Sequence, residues 1–410
     1  MADLASNKEI TFLHGKKFVK FWEDYYANHK WEDNDKVNVY VDFPYCVSNC
    51  KYCMYQPANF SEHKNEVPIY EKKLLEHIES CKHILQMKPV GLLSFGGGTA
   101  SLISRETHKK IKELFGPAWD SAFSRKMEVH PKDLSIDYID FLVDEMNYTN
   151  VSMGIQSFDR KSNINQHRIM PDFNKLLECV EHMKKRGLKT NIDLVMMFDG
   201  ETRNDLEIFK NDLKIVNEYF DPDMFFTQVN YATERRYYEH SQRLRKIICK
   251  FVDENPRYVL GEESYRNFDI MEVQRFLDTT YFMVKPGYYD YLKEHKVFNN
   301  PKRMNYLGFG GNFYHKTYSI TEEGHRIESF YNFEEDRWIH ELSTEIVPDK
   351  LSFVSGGTLK PTVDVTVPDP IDPSKITFPT LNVGKWVIPP YDAEYSAQFE
   401  EEFKGYDDKI

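Results

Sequence analysis

The chain reads as an α/β protein whose core is a partial (β/α)6 barrel of parallel strands, with a smaller α+β region behind it. Three observations predict this. Six short apolar runs, at 37–43, 92–95, 126–130, 150–155, 188–196 and 224–231, are separated by amphipathic stretches at 68–87, 105–116, 134–146, 172–186 and 203–218. Strands joined by helices of that length are βαβ units, which build a parallel sheet with helices outside. The alternation fades after about residue 236, leaving helical stretches at 239–254 and 288–296. In such folds ligands gather at the C-terminal strand edges, and the densest cysteine cluster follows the first strand.

Taken in order, residues 1–36 read as a helical extension in which Phe12, Phe18, Phe21, Trp22, Tyr25 and Tyr26 recur at helical spacing. Residues 37–235 hold the alternating core, residues 236–345 a C-terminal region, and residues 346–410 a proline-rich tail. That tail carries β-like pieces at Val363–Val367 and Lys385–Ile388. At 410 residues the chain can bury a large core. Its net charge of −12 argues against a nucleic-acid backbone as main partner. No apolar run is long enough for a membrane span. The first residues lack the basic-then-apolar profile of a signal peptide, so a cytoplasmic location is expected.

Three of the six cysteines fall in C-x3-C-x2-C spacing as Cys46, Cys50 and Cys53, just past the first strand. Cys81, Cys179 and Cys249 sit alone in helix-like stretches and read as small buried hydrophobes. The clustered three can ligate three irons of a [4Fe–4S] cluster and leave the fourth open to a small chelating ligand. A zinc site is the competing reading, but it wants a fourth ligand nearby, and His63 lies at a poor spacing.

The other strand ends carry polar groups suited to such a ligand. Ser94-Phe95-Gly96-Gly97-Gly98-Thr99 brings backbone close to it, although a tight turn alone would also use these glycines. Glu128 ends the third strand ahead of His130-Pro131 and suits an ammonium. Gln156, in Gly154-Ile155-Gln156-Ser157-Phe158, suits ribose hydroxyls. Arg168 suits a carboxylate, held bidentately. Asp193 lies within the fifth strand. Each alone reads as a structural hydrogen-bonding group; the ordered set on successive strand ends reads as a site.

These motifs resemble the radical S-adenosylmethionine (SAM) superfamily, and within it the oxygen-independent coproporphyrinogen III oxidase-like family. Tyr40-Val41-Asp42-Phe43-Pro44-Tyr45-Cys46 is similar to that family's Y-x-H-I-P-F-C, and Phe95–Thr99 to the start of its F-G-G-G-T-P. The likeness runs in order from about Val37 to Tyr231, and more loosely through Tyr306-Leu307-Gly308-Phe309-Gly310-Gly311. It implies that Cys46, Cys50 and Cys53 hold a [4Fe–4S] cluster whose open iron is chelated by SAM. It implies SAM contacts from Tyr40, Gly97, Gly98, Thr99, Glu128, Gln156, Arg168 and Asp193, with Tyr52 near the adenine. The implied activity is reductive cleavage of SAM to a 5′-deoxyadenosyl radical that attacks a small-molecule substrate, with electrons from a reductant such as flavodoxin or ferredoxin.

Departures bear on the substrate. Asp42 replaces the lead-in histidine, Met54-Tyr55 follows Cys53 where the oxidases have a further cysteine two residues on, and Ala100 replaces a proline. Met197–Thr202 stands where G-L-P-x-Q-T is usual. The stretch Phe298–Tyr306 lacks the His-Asn pair of the related heme chaperones. Asn230-Tyr231-Ala232 resembles the second-SAM segment of C-methylating relatives, which makes Ala232 a candidate contact for a second SAM or a SAM-sized substrate. The readings carried forward are a radical enzyme, with or without methyl transfer, a tetrapyrrole-acting oxidase or heme-degrading relative, and a heme carrier without turnover.

Overall fold

The computed structural model describes residues 8–13, 15–31, 35–53, 57–196, 202–229, 234–260, 280–295, 305–310, 317–321, 323–332, 337–346 and 401. Its strands in chain order are β1 (Lys8–Leu13), β2 (Val37–Phe43), β3 (Tyr45–Cys46), β4 (Ala58–Asn59), β5 (Val90–Gly97), β6 (Ser124–Val129), β7 (Asn150–Gln156), β8 (Lys189–Met196), β9 (Met224–Val229), β10 (Val259–Leu260), β11 (Thr280–Val284), β12 (Asn305–Phe309), β13 (Thr317–Ile320), β14 (His325–Asn332) and β15 (Arg337–Ile346). The helices are α1 (Lys16–Asn28), α2 (Val67–Met87), α3 (Arg105–Phe115), α4 (Pro117–Ser121), α5 (Ile136–Asp140), α6 (Arg160–Asn165), α7 (Phe173–Lys185), α8 (Thr202–Ile215), α9 (Glu234–Glu254) and α10 (Pro286–Glu294).

Strands β2-β5-β6-β7-β8-β9 pair in that order, all parallel, as the six-unit reading expects. Their outward residues, such as Val39, Val41, Leu93, Phe95, Met127, Val151, Met153 and Ile192, meet α2, α3 and α7 in one continuous apolar core. Helix starts follow local chemistry: the Ser104 hydroxyl accepts from Thr107 N–H to begin α3, and Asp172 accepts from Asn174 and Lys175 N–H to begin α7. Inward residues are mostly polar (Tyr40, Lys126, Glu128, Ser152, Asn191 and Asp193), and they line the barrel's interior.

The C-terminal region extends this same sheet on both flanks. β12 adds a seventh parallel strand beside β2, with Gly308 opposite Tyr40. β13, β14 and β15 continue antiparallel from it. On the far side β11 pairs antiparallel with β9, and β10 with β11.

The N-terminal extension differs from the helical expectation in its first part. Residues 8–13 form β1, which pairs antiparallel with β15. The alternation of Ile10 and Phe12 is a strand pattern, and Phe12 belongs to it rather than to the helix. The helix begins at Lys16 and buries Phe18, Trp22 and Tyr26 on one stripe. Phe18 stacks on Trp338 of β15 at 3.5 Å between ring centroids, and Trp22 donates to the Ser329 hydroxyl of β14 at 3.2 Å.

Two tyrosines of α10, Tyr288 and Tyr289, pack inside the fold, while Tyr291 is exposed. Tyr288 and Tyr289 pack with Leu92, Phe123, Met224, Phe226 and Phe282 at the N-terminal ends of the strands. The Tyr288 hydroxyl accepts from Asn150, the first residue of β7, at 2.6 Å. α10 thus closes the barrel's lower end, and the upper end is where polar groups converge. The tail pieces at 363–367 and 385–388, and the segments 230–233 and 298–304, lie outside the described residues.

Candidate active site at the upper strand ends

The cysteine loop is fixed to the sheet before any ligand is considered. Gly98 N–H donates to Phe43 O at 2.7 Å, Ala58 N–H to Pro44 O at 3.0 Å, and Phe60 N–H to Cys46 O at 2.9 Å. Cys46 is buried, with Sγ 3.1 Å from the Thr99 hydroxyl at the top of β5. Cys50 and Cys53 are half-exposed; Cys50 Sγ lies 3.3 Å from the Ser48 hydroxyl. Among the described residues no three His, Cys, Asp or Glu side chains gather tightly enough to hold one metal ion. Three thiolates in this spacing could each take a separate iron of a [4Fe–4S] cluster.

The glycine run has a structural cause. A Cβ on Gly96 would overlap the Tyr40 hydroxyl and the Glu128 carboxylate. One on Gly97 would overlap Asp42 and the Phe43 backbone, and Gly97 has φ +100°, where other residues are strained. One on Gly98 would overlap the Tyr45 carbonyl. The three glycines therefore let β2, the cysteine loop and Glu128 close on one point. That cradle fits a ligand bound at the loop. Asp42 is fully buried in the seam between β2, β5 and β12, and its carbonyl accepts from the Tyr70 hydroxyl at 2.6 Å. The residue that replaces the lead-in histidine is thus a carboxylate withdrawn from solvent.

Glu128 is held from two sides. Tyr40 donates to it at 3.5 Å and the Lys126 ammonium at 2.7 Å. Burial works against the Lys126 charge, but Glu128 and then Asp193 outweigh it and raise the ammonium's pKa. Two β8 and β7 residues hold Asp193: the Asn191 amide at 2.6 Å and the Ser152 hydroxyl at 3.0 Å. Burial lifts its carboxyl to about 6, Lys126 opposes the rise, and Glu128 adds to it.

Gln156 stands at a β-bulge, where the β7–β8 register shifts between Gly154 and Gln156. Its φ of +71° is rare for a side-chain-bearing residue and turns it at the strand end. Arg168 ties this corner to the cysteines. Its guanidinium donates to Ile155 O at 3.3 Å, to Gly154 O, and to the Tyr52 hydroxyl at 2.9 Å, and Nη1 lies 3.7 Å from Cys50 Sγ. Burial opposes its charge while Tyr52 and Cys50 favour it, with a net rise in pKa. Much of the fork expected to clamp a carboxylate bidentately is therefore engaged as a strut, with one N–H of five left over. Tyr52 has its phenol pushed up, chiefly by burial.

Thus Tyr40, Gly97, Gly98, Thr99, Glu128, Gln156, Arg168 and Asp193 are brought to the upper strand ends, with Tyr52 tied to Arg168. Ala232 lies outside the described residues. Sequence reasoning missed three supports. Lys126 is legible only as the residue two before Glu128 on the same strand face. Asn191 is legible likewise, two before Asp193. Asp212 of α8, 2% exposed, accepts from the Ser157 hydroxyl at 2.7 Å and from Phe158 N–H at 2.9 Å. It braces the loop leaving Gln156, and nothing local in the α8 sequence signals that.

Residues 40–213 match the Radical SAM superfamily. The parallel barrel and the C-x3-C-x2-C loop at its upper mouth accord with this match, which covers less than half of the chain. Several proteins of the coproporphyrinogen oxidase and HemW kind are similar to the chain over part of their length. It is 21% identical over 243 residues to the heme chaperone HemW of Buchnera aphidicola subsp. Schizaphis graminum, covering 57% of this chain and 61% of that protein. It is 24% identical over 173 residues to the oxygen-independent coproporphyrinogen III oxidase of Pseudomonas aeruginosa, covering 40% and 37% respectively. The chain therefore spans under two thirds of either relative. In fold it is similar to coproporphyrinogen III oxidase (HemN) of Escherichia coli, with a TM-score of 0.58, 17% identity, and coverage of 80% of this chain and 76% of that one. Among the described residues no helix is long and apolar enough to cross a membrane.

Proposed function

We propose that this protein is a radical SAM enzyme that reductively cleaves SAM and transforms a small organic substrate. The observation that carries this is the convergence of Glu128, Gln156, Arg168 and Asp193 on one mouth with the Cys46–Cys50–Cys53 loop. Those three thiolates would hold a [4Fe–4S] cluster, which when bound supplies the electron that breaks the S–C5′ bond of SAM and yields a 5′-deoxyadenosyl radical.

The chain's own residues have separable tasks. Glu128, hydrogen-bonded to Lys126, accepts hydrogen bonds from an ammonium. The one remaining N–H of Arg168, on Nη2, meets a carboxylate while its bonded ones keep the cysteine loop against β7. Gln156 and Asp193 present an amide and a carboxylate to vicinal hydroxyls. The closed lower end, packed by α10, keeps water from entering beneath. Together they hold SAM's methionine and ribose ends in one orientation.

Anaerobic reconstitution with dithionite and SAM, read by mass spectrometry, tests this. The expected products are 5′-deoxyadenosine and methionine, lost on Cys50→Ala. Failure of the iron-loaded protein to make deoxyadenosine with dithionite or a stronger titanium(III) reductant would overturn the proposal. Methyl or methylene transfer with a second SAM would add S-adenosylhomocysteine to the products, and its absence with substrate present would remove that reading. The names of the relatives support a second reading, a tetrapyrrole-acting oxidase or a heme carrier. Heme titration separates it: stoichiometric tight binding with negligible SAM turnover favours the carrier.

A further inference from the structure

His130 stands at the upper end of β6 with a ring proton that the chain does not use. Its backbone is extended, at φ −79° and ψ 129°, so the strand's alternation carries on through it. Val129 belongs to the outer apolar core, and His130 therefore shares the inward face with Lys126 and Glu128. It is 5% exposed. Lys132 N–H donates to its Nδ1 at 3.2 Å, so that nitrogen is an acceptor and a neutral ring carries its proton on Nε2. Burial, and then the charges of Arg168 and Lys132, keep the ring neutral by pushing its pKa far below the usual histidine range. Nε2 is withdrawn from water and, among the described residues, has no hydrogen-bond partner. A buried donor without an acceptor is costly, and a ligand or an ordered water is the usual reason that one persists.

The neighbours of that proton say which ligand group it would meet. The β6–β7 register pairs Val129 with Met153, which sets His130 one step further, level with Gly154. The Gly154 carbonyl accepts from Arg168, and a Cβ on Gly154 would come within 3.2 Å of Arg168 Nη2. Arg168 has one N–H left, too few for the two parallel bonds of a bidentate carboxylate clamp. Glu128 lies two residues below His130 on the same face, about 6.6 Å along the strand. An α-amino acid carries its ammonium and its carboxylate on one carbon, so it presents opposite charges side by side. We propose that His130 Nε2–H donates to the carboxylate of SAM's methionine end, supplying the bond that Arg168 lacks, while Glu128 takes the ammonium. One strand would then grip both charges of the α-amino acid. This inference rests on the SAM reading above and deepens it by naming how the amino-acid head is recognised.

Calorimetric binding to the anaerobic, cluster-loaded protein tests this with two probes. One is SAM; the other is decarboxylated SAM, which keeps the ammonium, sulfonium and nucleoside and lacks only the carboxylate. His130→Phe should weaken SAM about tenfold or more and leave decarboxylated SAM unchanged. His130→Asn keeps an acceptor for Lys132 N–H while withdrawing the donor, and should show the same selective loss even if the phenylalanine variant fails to load iron. His130→Gln, whose longer amide places an N–H near the Nε2 position, should recover most of the SAM affinity. Equal weakening of both probes would make His130 a packing residue and overturn the contact. SAM affinity unaltered in His130→Asn would overturn it too, while leaving the SAM reading standing. A wild-type protein that binds neither probe refutes the SAM reading itself, and the contact falls with it.

Discussion

Asp212 offers the sharpest check on how the site is held, because it touches no proposed ligand and acts only through the loop after Gln156. Its carboxylate receives two donors in a nearly dry setting, the Ser157 hydroxyl and Phe158 N–H. Burial raises its carboxyl to about 7, against the opposing effect of those two hydrogen bonds. In Asp212→Ala both donors lose their acceptor. At about 1–3 kcal/mol for each buried donor left unmade, the cost is about 2–6 kcal/mol at pH 5.5, below the folded-state pKa. Asp212→Asn keeps an acceptor for Phe158 N–H and should cost about 1 kcal/mol. The pH dependence supplies a second signature. A carboxyl whose folded pKa lies above its unfolded value binds more protons in the folded state between the two. Its contribution to stability is therefore full below about 4 and lost as pH rises through about 7. The wild-type advantage over Asp212→Asn should shrink between pH 5.5 and 8. Anaerobic urea titrations of the cluster-loaded proteins at several pH values measure both effects. An Asp212→Ala midpoint within about 0.5 kcal/mol of wild type, or a pH-independent gap between wild type and Asp212→Asn, would refute the bracing role.

Other positions yield separate outcomes. Gly97→Ala places a methyl against Asp42 and the Phe43 backbone at positive φ, so iron content after reconstitution should collapse; normal iron loading would show that the cradle yields. Asp193 titrates near 6, so if its carboxylate accepts ribose hydroxyls, SAM affinity should rise between pH 5 and 7, and Asp193→Asn should flatten that rise in equilibrium binding. Lys126→Met leaves Glu128 and Asp193 as like charges without their shared cation, which should push the SAM-binding pH profile upward; an unchanged profile would separate Lys126 from the site. Trp338→Ala removes the ring stacked on Phe18 and should cost about 3–5 kcal/mol in denaturant unfolding.

The sequence made the barrel legible because parallel strands and their covering helices carry strong, opposite periodicities. All six core strands were placed within a few residues of their observed ends. Cys46, Cys50, Cys53, Glu128 and Gln156 could be singled out because strand-end position and spacing are local properties. β1 is hidden because Phe12 precedes the helical aromatic stripe of Phe18, Trp22 and Tyr26 and reads as its continuation, while only Phe12 lies on a strand. The antiparallel flank from β12 to β15 was hidden because its pairing partners are far apart in the chain: β12 beside β2, and β15 beside β1.

What the sequence alone determined is therefore the architecture's core and the placing of candidate groups on one loop and four strand ends. Only tertiary structure decided who supports whom. Arg168 became a strut because the Gly154 and Ile155 carbonyls lie within its reach. The glycines became obligatory because Tyr40, Asp42 and Glu128 crowd against them from neighbouring strands. Lys126 and Asp212 entered the site because a carboxylate or ammonium withdrawn from water must find a partner across the fold. Such contacts join residues distant in sequence, and no local pattern records them.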